Sequence, residues 1–183
     1  MQITGIILSG GKSTRMGTDK AFIQINKKTL LENAFEICKP ICTNILISSN
    51  DQKHKISGVK IIPDEFLNCG PLSGIYSCLK KSDTHWNFVI SVDAAFVEPA
   101  FIEYLINETD DSDAIVPFHS KGKEPLISMY HKSGLSEMQK HLKSGNLKMH
   151  NLISDLNTKY VDSQNWVERF PKIFRNLNHP DDI

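Results

Sequence analysis

Apolar residues fall in short runs along the chain, and the runs have two different periods. The stretch Ile3 to Leu8 is β-branched and apolar without strict alternation, and it stops at Gly10-Gly11, the pattern of a strand buried on both faces. Leu30, Leu31, Ala34 and Phe35 then recur at helical spacing in a segment that ends near Pro40, and Asn44 to Ser49 reads as a second strand. This is a βαβ unit. Further strands are predicted at Val59 to Ile62, Phe88 to Val92, Ala114 to Val116 and Leu126 to Tyr130. Helices are predicted at Leu72 to Lys80, Pro99 to Asn107 and Leu135 to Leu142. Strands alternating with helices imply an α/β fold of three layers around a mostly parallel sheet.

Size and charge narrow the picture. A chain of 183 residues matches the size of one domain, so the whole of 1–183 is read as a single unit. Apolar residues make up 40%, charged residues 23% and aromatics 8%, which excludes collagenous, coiled-coil and low-complexity classes. Lys plus Arg and Asp plus Glu are both 21, so no net field attracts a nucleic acid or an anionic membrane, and neither is expected as a partner. No apolar run approaches the ~20 residues of a membrane span, and no basic segment precedes the first apolar run, so a cytoplasmic location is expected. Cys38, Cys42, Cys69 and Cys78 are too few for a disulfide framework and lack paired zinc spacing. The seven histidines show no His-x-x-x-His spacing, which argues against a histidine-built metal site.

In an open parallel sheet the ligand crevice lies beyond the carboxyl ends of the strands. Three such places carry unusual residues: Ser9 to Lys20, Asp64 to Gly74, and Asp93. Between Lys12 and Lys28 stand Lys12, Arg15, Lys20, Lys27 and Lys28 against Asp19 alone, so positive charge is concentrated after the first strand. Glycines there let backbone N–H groups approach a phosphate, and the cations offset its charge, a combination suited to a nucleoside triphosphate. The loop is not a Walker A motif, because Gly11 stands where that motif needs its lysine, and Gly-x-Gly-x-x-Gly is absent. The segment Asp110 to Asp113 reads as a solvated acidic turn.

The run from Leu8 to Ala21, followed by Leu30-Leu31-Glu32, resembles the signature of the molybdenum cofactor guanylyltransferases, within the wider group of sugar and pterin nucleotidyltransferases. Further matches are Asn50, Pro63-Asp64, the Gly70 to Ile75 turn, Asp93, Glu124-Pro125-Leu126 with Tyr130, and Asn176-Leu177-Asn178 before Pro180. The resemblance implies a Rossmann-like nucleotidyltransferase fold. It also implies that Mg²⁺-bound GTP reacts with molybdopterin carrying molybdenum to give its guanine dinucleotide and pyrophosphate. A protein that delivers or accepts the pterin is a further partner the resemblance allows, and the residues do not identify it.

By the same resemblance, Leu8, Ser9, Gly10 and Gly11 form the nucleotide-binding backbone, and Arg15 and Lys20 hold the triphosphate. Asp93 is the magnesium ligand, with a helix N-cap as the alternative role. Asn50 and Asp64 match nucleoside-binding positions, where ordinary turn chemistry is the alternative. A carboxylate at Asp64 suits guanine, whose N1–H and 2-amino group donate, and opposes the lone pairs of cytosine. Gly70 and Gly74 line the nucleotide side, and Asn176 and Asn178 face the pterin. The chain departs from the family after Asp93, where Ala94-Ala95 replaces a methionine-like residue and a proline, and the turn is expected to loosen. Two alternatives remain open at this level: a nucleotidyltransferase of the same fold using CTP or a sugar phosphate, and a GTP-binding regulatory module without turnover.

Overall fold

A computed structural model describes residues 1–10 and 19–177. Its strands are β1 (Thr4–Leu8), β2 (Gln24–Ile25), β3 (Lys28–Thr29), β4 (Asn44–Ser48), β5 (Lys60–Ile62), β6 (Trp86–Ser91), β7 (Ala114–His119), β8 (Gly122–Lys123), β9 (Ile127–His131) and β10 (Thr158–Asp162). Its α-helices are α1 (Leu30–Cys38), α2 (Pro71–Lys81), α3 (Pro99–Asn107), α4 (Leu135–Ser144), α5 (Met149–Asp155) and α6 (Gln164–Arg169). The predicted strands and helices are all present, with ends moved by at most three residues. The main sheet runs β10-β7-β9-β6-β1-β4-β5, with β8 paired to β7. Strand β1 is parallel to β4 and β6, β4 to β5, and β7 to β10, while β9 runs antiparallel between β6 and β7. The sheet is therefore mostly parallel, as expected.

Every residue of β1 is buried, which explains its unbroken apolar pattern. Its side chains alternate between two cores. Ile7 joins Ile90, Ile115 and Met129 beneath α1 and α3, whereas Ile6 and Leu8 join Val89 and Val116 beneath α2, α4 and α5. Helices on both faces of one sheet make three layers. The chain leads from β1 outward to β4 and β5, then returns to place β6 on the other side of β1. The order reverses between β1 and β6, the kind of position where doubly wound sheets open a ligand crevice.

Local chemistry sets the helix starts. Thr29 and Glu32 cap α1 reciprocally: Glu32 N–H donates to Thr29 Oγ1 at 3.1 Å and Thr29 N–H to Glu32 Oε2 at 2.7 Å. Helix α2 begins with Pro71 after Gly70, whose φ of 64° and ψ of −157° fall in a region reserved for glycine.

Several elements escape the periodicity. The β2–β3 hairpin turns on Asn26 and Lys27, with φ of 49° and 69°, a left-handed pair usually signalled by glycine. Strand β10 and helices α5 and α6 are short segments that acquire their state from tertiary packing. The acidic turn is solvated at Asp110 and Asp111, which are exposed, and anchored at its end: Asp113 N–H donates to Asn157 O at 2.7 Å, His131 N–H donates to Asp113 O at 2.8 Å, and Ser112 is buried. All four cysteines are free, with Cys38 and Cys78 buried. No helix among the described residues is long and apolar enough to cross a membrane.

Helix α2 lies so close to β4 that a Cβ on Gly74 meets Ser48 Oγ at 2.2 Å and Leu8 Cδ2 at 3.3 Å. Gly74→Ala is therefore expected to cost about 1–3 kcal/mol, the usual penalty of an overpacked core, which lowers Tm by roughly 2–4 °C per kcal/mol in a chain of this size. Adding Ser48→Ala should recover part of the loss. Thermal melts of the single and double variants check this, and an unshifted Tm for Gly74→Ala contradicts the close approach.

Candidate active site

A cavity of about 700 Å³ opens at the carboxyl ends of β1, β4 and β5 and is closed on one side by the start of α2. Leu8, Ser9, Gly10, Asn50, Asp64, Gly70 and Gly74 all line it, so the structure gathers most of the predicted nucleotide residues into one place. The ladder explains this convergence. Ser9 N–H donates to Ser48 O at 3.0 Å and Ser49 N–H to Ile62 O at 3.1 Å, which carries the pairing one step past each strand end and sets the next residues side by side. Gly10 stands in the open mouth, where an added Cβ would meet only Ser48 O at 3.9 Å.

At the outer end of the cavity Asn50 and Asp64 bind each other in both directions. Asn50 Nδ2 donates to Asp64 Oδ2 at 3.0 Å, and Asp64 N–H donates to Asn50 Oδ1 at 2.8 Å. Burial pushes the Asp64 carboxyl above the ordinary carboxylate range, partly offset by hydrogen bonds from Asn50 and Ser48. The fold holds this acceptor at the cavity wall against the preference of its charge for water.

Asp93 and Lys20 lie toward the other side of β1 and do not line this cavity. Val92 N–H donates to Leu8 O at 3.0 Å, so Asp93 follows β6 immediately beside the end of β1. Ser91 Oγ donates to Asp93 Oδ1 at 2.6 Å, and Lys20 Nζ meets Asp93 Oδ2 at 3.1 Å with the carboxylate side chain 15% exposed. The turn after Asp93 is tied down without a proline. Ala94 N–H donates to Ser91 O, Asn33 Nδ2 donates to Ala95 O at 2.9 Å, and Ala94 is buried. Leu177 N–H donates to Asp93 O at 2.9 Å, which brings exposed Asn176 next to this turn. Gly11, Arg15 and Asn178 lie outside the described residues.

One carboxylate steadied by a hydroxyl, at the sheet's topological switch, suits Mg²⁺, which takes one or two protein carboxylates and fills its remaining positions with water and phosphate oxygens. The ion pair with Lys20 Nζ shows that Asp93 Oδ2 already accepts positive charge. A second group, Glu137, His141 and Asp155, also brings three ligand atoms within 4.8 Å of one another, and none of the three lines the cavity. Histidine spacing in the sequence gave no sign of it, because its carboxylates come from α4 and α5.

Sequence reasoning also missed His54, which is 4% exposed and lines the cavity. Its Nδ1 lies 2.7 Å from Ser49 Oγ and 3.2 Å from Ser9 Oγ, and its Nε2 lies 2.6 Å from Asp19 Oδ2. Nothing in the run Asp51-Gln52-Lys53-His54-Lys55 marks this role, since all of its partners are remote or separated by a turn.

Residues 5–159 match the family model described as the MobA-like NTP transferase domain. The chain belongs to this family. It is 31% identical to the molybdenum cofactor guanylyltransferase of Vibrio parahaemolyticus, over 100% of this chain and 93% of that protein. Among solved structures it resembles molybdopterin-guanine dinucleotide biosynthesis protein A from Archaeoglobus fulgidus, with a TM-score of 0.82 and 26% identity over 98% of this chain and 94% of that one. The fold is also that of 2-C-methyl-D-erythritol 4-phosphate cytidylyltransferase from Thermus thermophilus, with a TM-score of 0.70 at 12% identity over 97% of this chain and 93% of that one. A MobA-like chain of this kind is a nucleotidyltransferase, and its Rossmann-like fold accounts for where the cavity lies.

The raised Asp64 pKa has opposite consequences for stability and binding. A carboxyl whose folded pKa exceeds its unfolded value favours the folded state at low pH, and that contribution is lost as pH rises through the folded pKa. Asp64→Asn, which keeps an acceptor for Asn50, is therefore expected to raise Tm at pH 7 while weakening any ligand that donates to the carboxylate. Wild-type binding of such a ligand should decline on acidification already above the ordinary carboxylate range, and the variant should not share that decline. Melts and calorimetric titrations across pH 4–7 measure both effects.

Proposed function

We propose that the chain is a magnesium-dependent guanylyltransferase that moves GMP from GTP to molybdenum-bearing molybdopterin and releases pyrophosphate. On this reading residues 1–183 act as one nucleotidyltransferase domain in the cytoplasm. The observation that carries the reading is the division of one crevice into two parts joined through consecutive residues: Asp19 lines the cavity that holds Asn50 and Asp64, and Lys20 pairs with Asp93.

Guanine enters against Asp64, whose carboxylate accepts from the N1–H and 2-amino group while Asn50 holds it in place. Leu8, Ser9 and Gly10 offer their backbone to the nucleotide, with Gly11 continuing it, and Gly70 and Gly74 leave room on the opposite wall. Lys20 and Arg15 hold the triphosphate. Asp93 would hold a magnesium ion, which when bound would supply positive charge to the phosphate oxygens. The terminal phosphate of the pterin, already anionic near neutral pH, is the nucleophile. Its oxygen bonds to the α-phosphorus as the bond to the β-phosphate oxygen breaks, and the electron pair leaves with pyrophosphate. No side chain need remove a proton, so the residues act by positioning and by stabilising charge. Asn176, whose neighbour Leu177 bonds to Asp93, is assigned with Asn178 to binding the pterin. A protein that delivers or accepts the pterin is compatible with this arrangement.

Selectivity is the first test. A ligand present at ~100 times its Kd stabilises the native state by roughly 3 kcal/mol, so GTP with Mg²⁺ should raise Tm well beyond CTP or ATP at equal concentration. A larger shift with CTP instead supports the cytidylyl alternative. The reaction itself is read by pyrophosphate release. Lys20→Ala should lower kcat by on the order of 10²-fold, and Asp93→Asn should nearly abolish turnover while the protein remains folded. Wild-type protein that binds GTP yet releases no pyrophosphate with loaded molybdopterin overturns the enzyme reading in favour of a regulatory module.

A further inference from the structure

His54 joins groups that the sequence separates widely. Ser9 ends the segment after β1, Ser49 follows β4, and Asp19 immediately precedes Lys20, yet all three bond to one buried imidazole. The partners define its hydrogen bonding. The Asp19 carboxylate only accepts, so Nε2 carries the donated proton, while Nδ1 faces the two serine hydroxyls. The remaining contacts of Asp19 point toward Lys20. Its Oδ1 accepts from Ala21 N–H at 3.0 Å, and this caps the 3₁₀ turn Lys20–Phe22, whose Phe22 ring packs on the His54 ring at 5.4 Å. The turn in turn delivers Lys20 Nζ to Asp93.

We propose that His54 is the positioning residue for Lys20: it holds Asp19 from the β4 side and so sets where the lysine ammonium meets the triphosphate and the departing pyrophosphate. The proposal rests on the reading of Lys20 as a phosphate contact. His54 itself touches no reacting atom. Its rigidity comes from its surroundings, because a ring buried to 4% exposure and bonded at both nitrogens has little freedom to rotate, whereas the Asp19 side chain is 42% exposed and would otherwise move with solvent. A displaced ammonium loses transition-state stabilisation steeply, since a shift of about 1 Å at a reacting centre costs up to about 10²-fold.

The test compares His54→Leu, His54→Gln and Asp19→Ala. Glutamine places an amide N–H near the position of Nε2 and can donate to Asp19, whereas leucine fills the space without donating. Two readouts are taken, kcat and KM for GTP with loaded molybdopterin, and calorimetric binding of magnesium pyrophosphate alone. His54→Leu should lower kcat by about 10- to 100-fold with KM for GTP changed less than about threefold, the signature of an interaction made mainly in the transition state. It should also weaken pyrophosphate, and His54→Gln should recover most of both losses. Asp19→Ala, a change at a half-exposed side chain, should reproduce the His54→Leu effect, and the double variant should be no worse than either single one.

A kcat for both His54→Leu and Asp19→Ala equal to wild type overturns the proposal. So does a loss in His54→Gln as large as in His54→Leu and proportional to its fall in Tm, which marks a purely structural histidine. If wild type turns over neither GTP nor its analogues, the functional reading fails on its own. The pyrophosphate titrations then still decide the His54 proposal, which stands only if His54→Leu weakens binding and His54→Gln restores it.

Discussion

Two backbone hydrogen bonds at the end of β1 hold the two parts of the site together. Ser9 N–H reaches Ser48 O on one side, and Leu8 O accepts from Val92 N–H on the other. Because β1 is central and parallel to both neighbours, these bonds put the residues that follow β1, β4 and β6 at one edge of the sheet. Moving β1 by one residue would exchange its two buried faces, so the apolar residues of both cores hold this register against slippage. The precision of the site is inherited from hydrophobic packing well beneath it.

Charge within the site is arranged by cost as well as by attraction. Burial disfavours the ionised form of Asp64, and the reciprocal bond with Asn50 only partly compensates. Asp93 has the converse arrangement: its carboxylate is met by a hydroxyl and an ammonium, so the polar end of β6 is balanced locally in a protein whose formal net charge is zero. His54 links these two environments by tying the end of β4 to the residue before Lys20.

The fold alone does not choose the substrate. Cytidylyltransferases superpose on this chain over nearly its whole length with little identity, so the shared element is the sheet and its crevice, while the chemistry resides in the side chains at the strand ends. The altered Ala94-Ala95 turn illustrates how such a site tolerates change. Its backbone is fixed by Ser91 of β6, Asn33 of α1 and Leu177 of the C-terminal segment, which replaces the restriction a proline provides from within the chain.

The order of strands and helices, the buried parallel character of β1, and the placing of Ser9, Asn50, Asp64 and Asp93 just beyond strand ends were legible from residue pattern. Each depends on neighbours in the chain: a run of β-branched residues, a helical period, or a glycine at the exit. The hairpin on Asn26 and Lys27, the edge strand β10 and the antiparallel course of β9 were not legible, since pairing partners and left-handed turns without glycine leave little local signal. The same division runs through the site. The basic, glycine-rich segment raised the expectation of a phosphate ligand, but the gathering of Asn50 with Asp64, Lys20 with Asp93, and His54 with Ser9, Ser49 and Asp19 came only from the tertiary structure. Those contacts span up to 73 positions, and a short-range pattern carries no information about distances that the packed sheet alone brings to 3 Å.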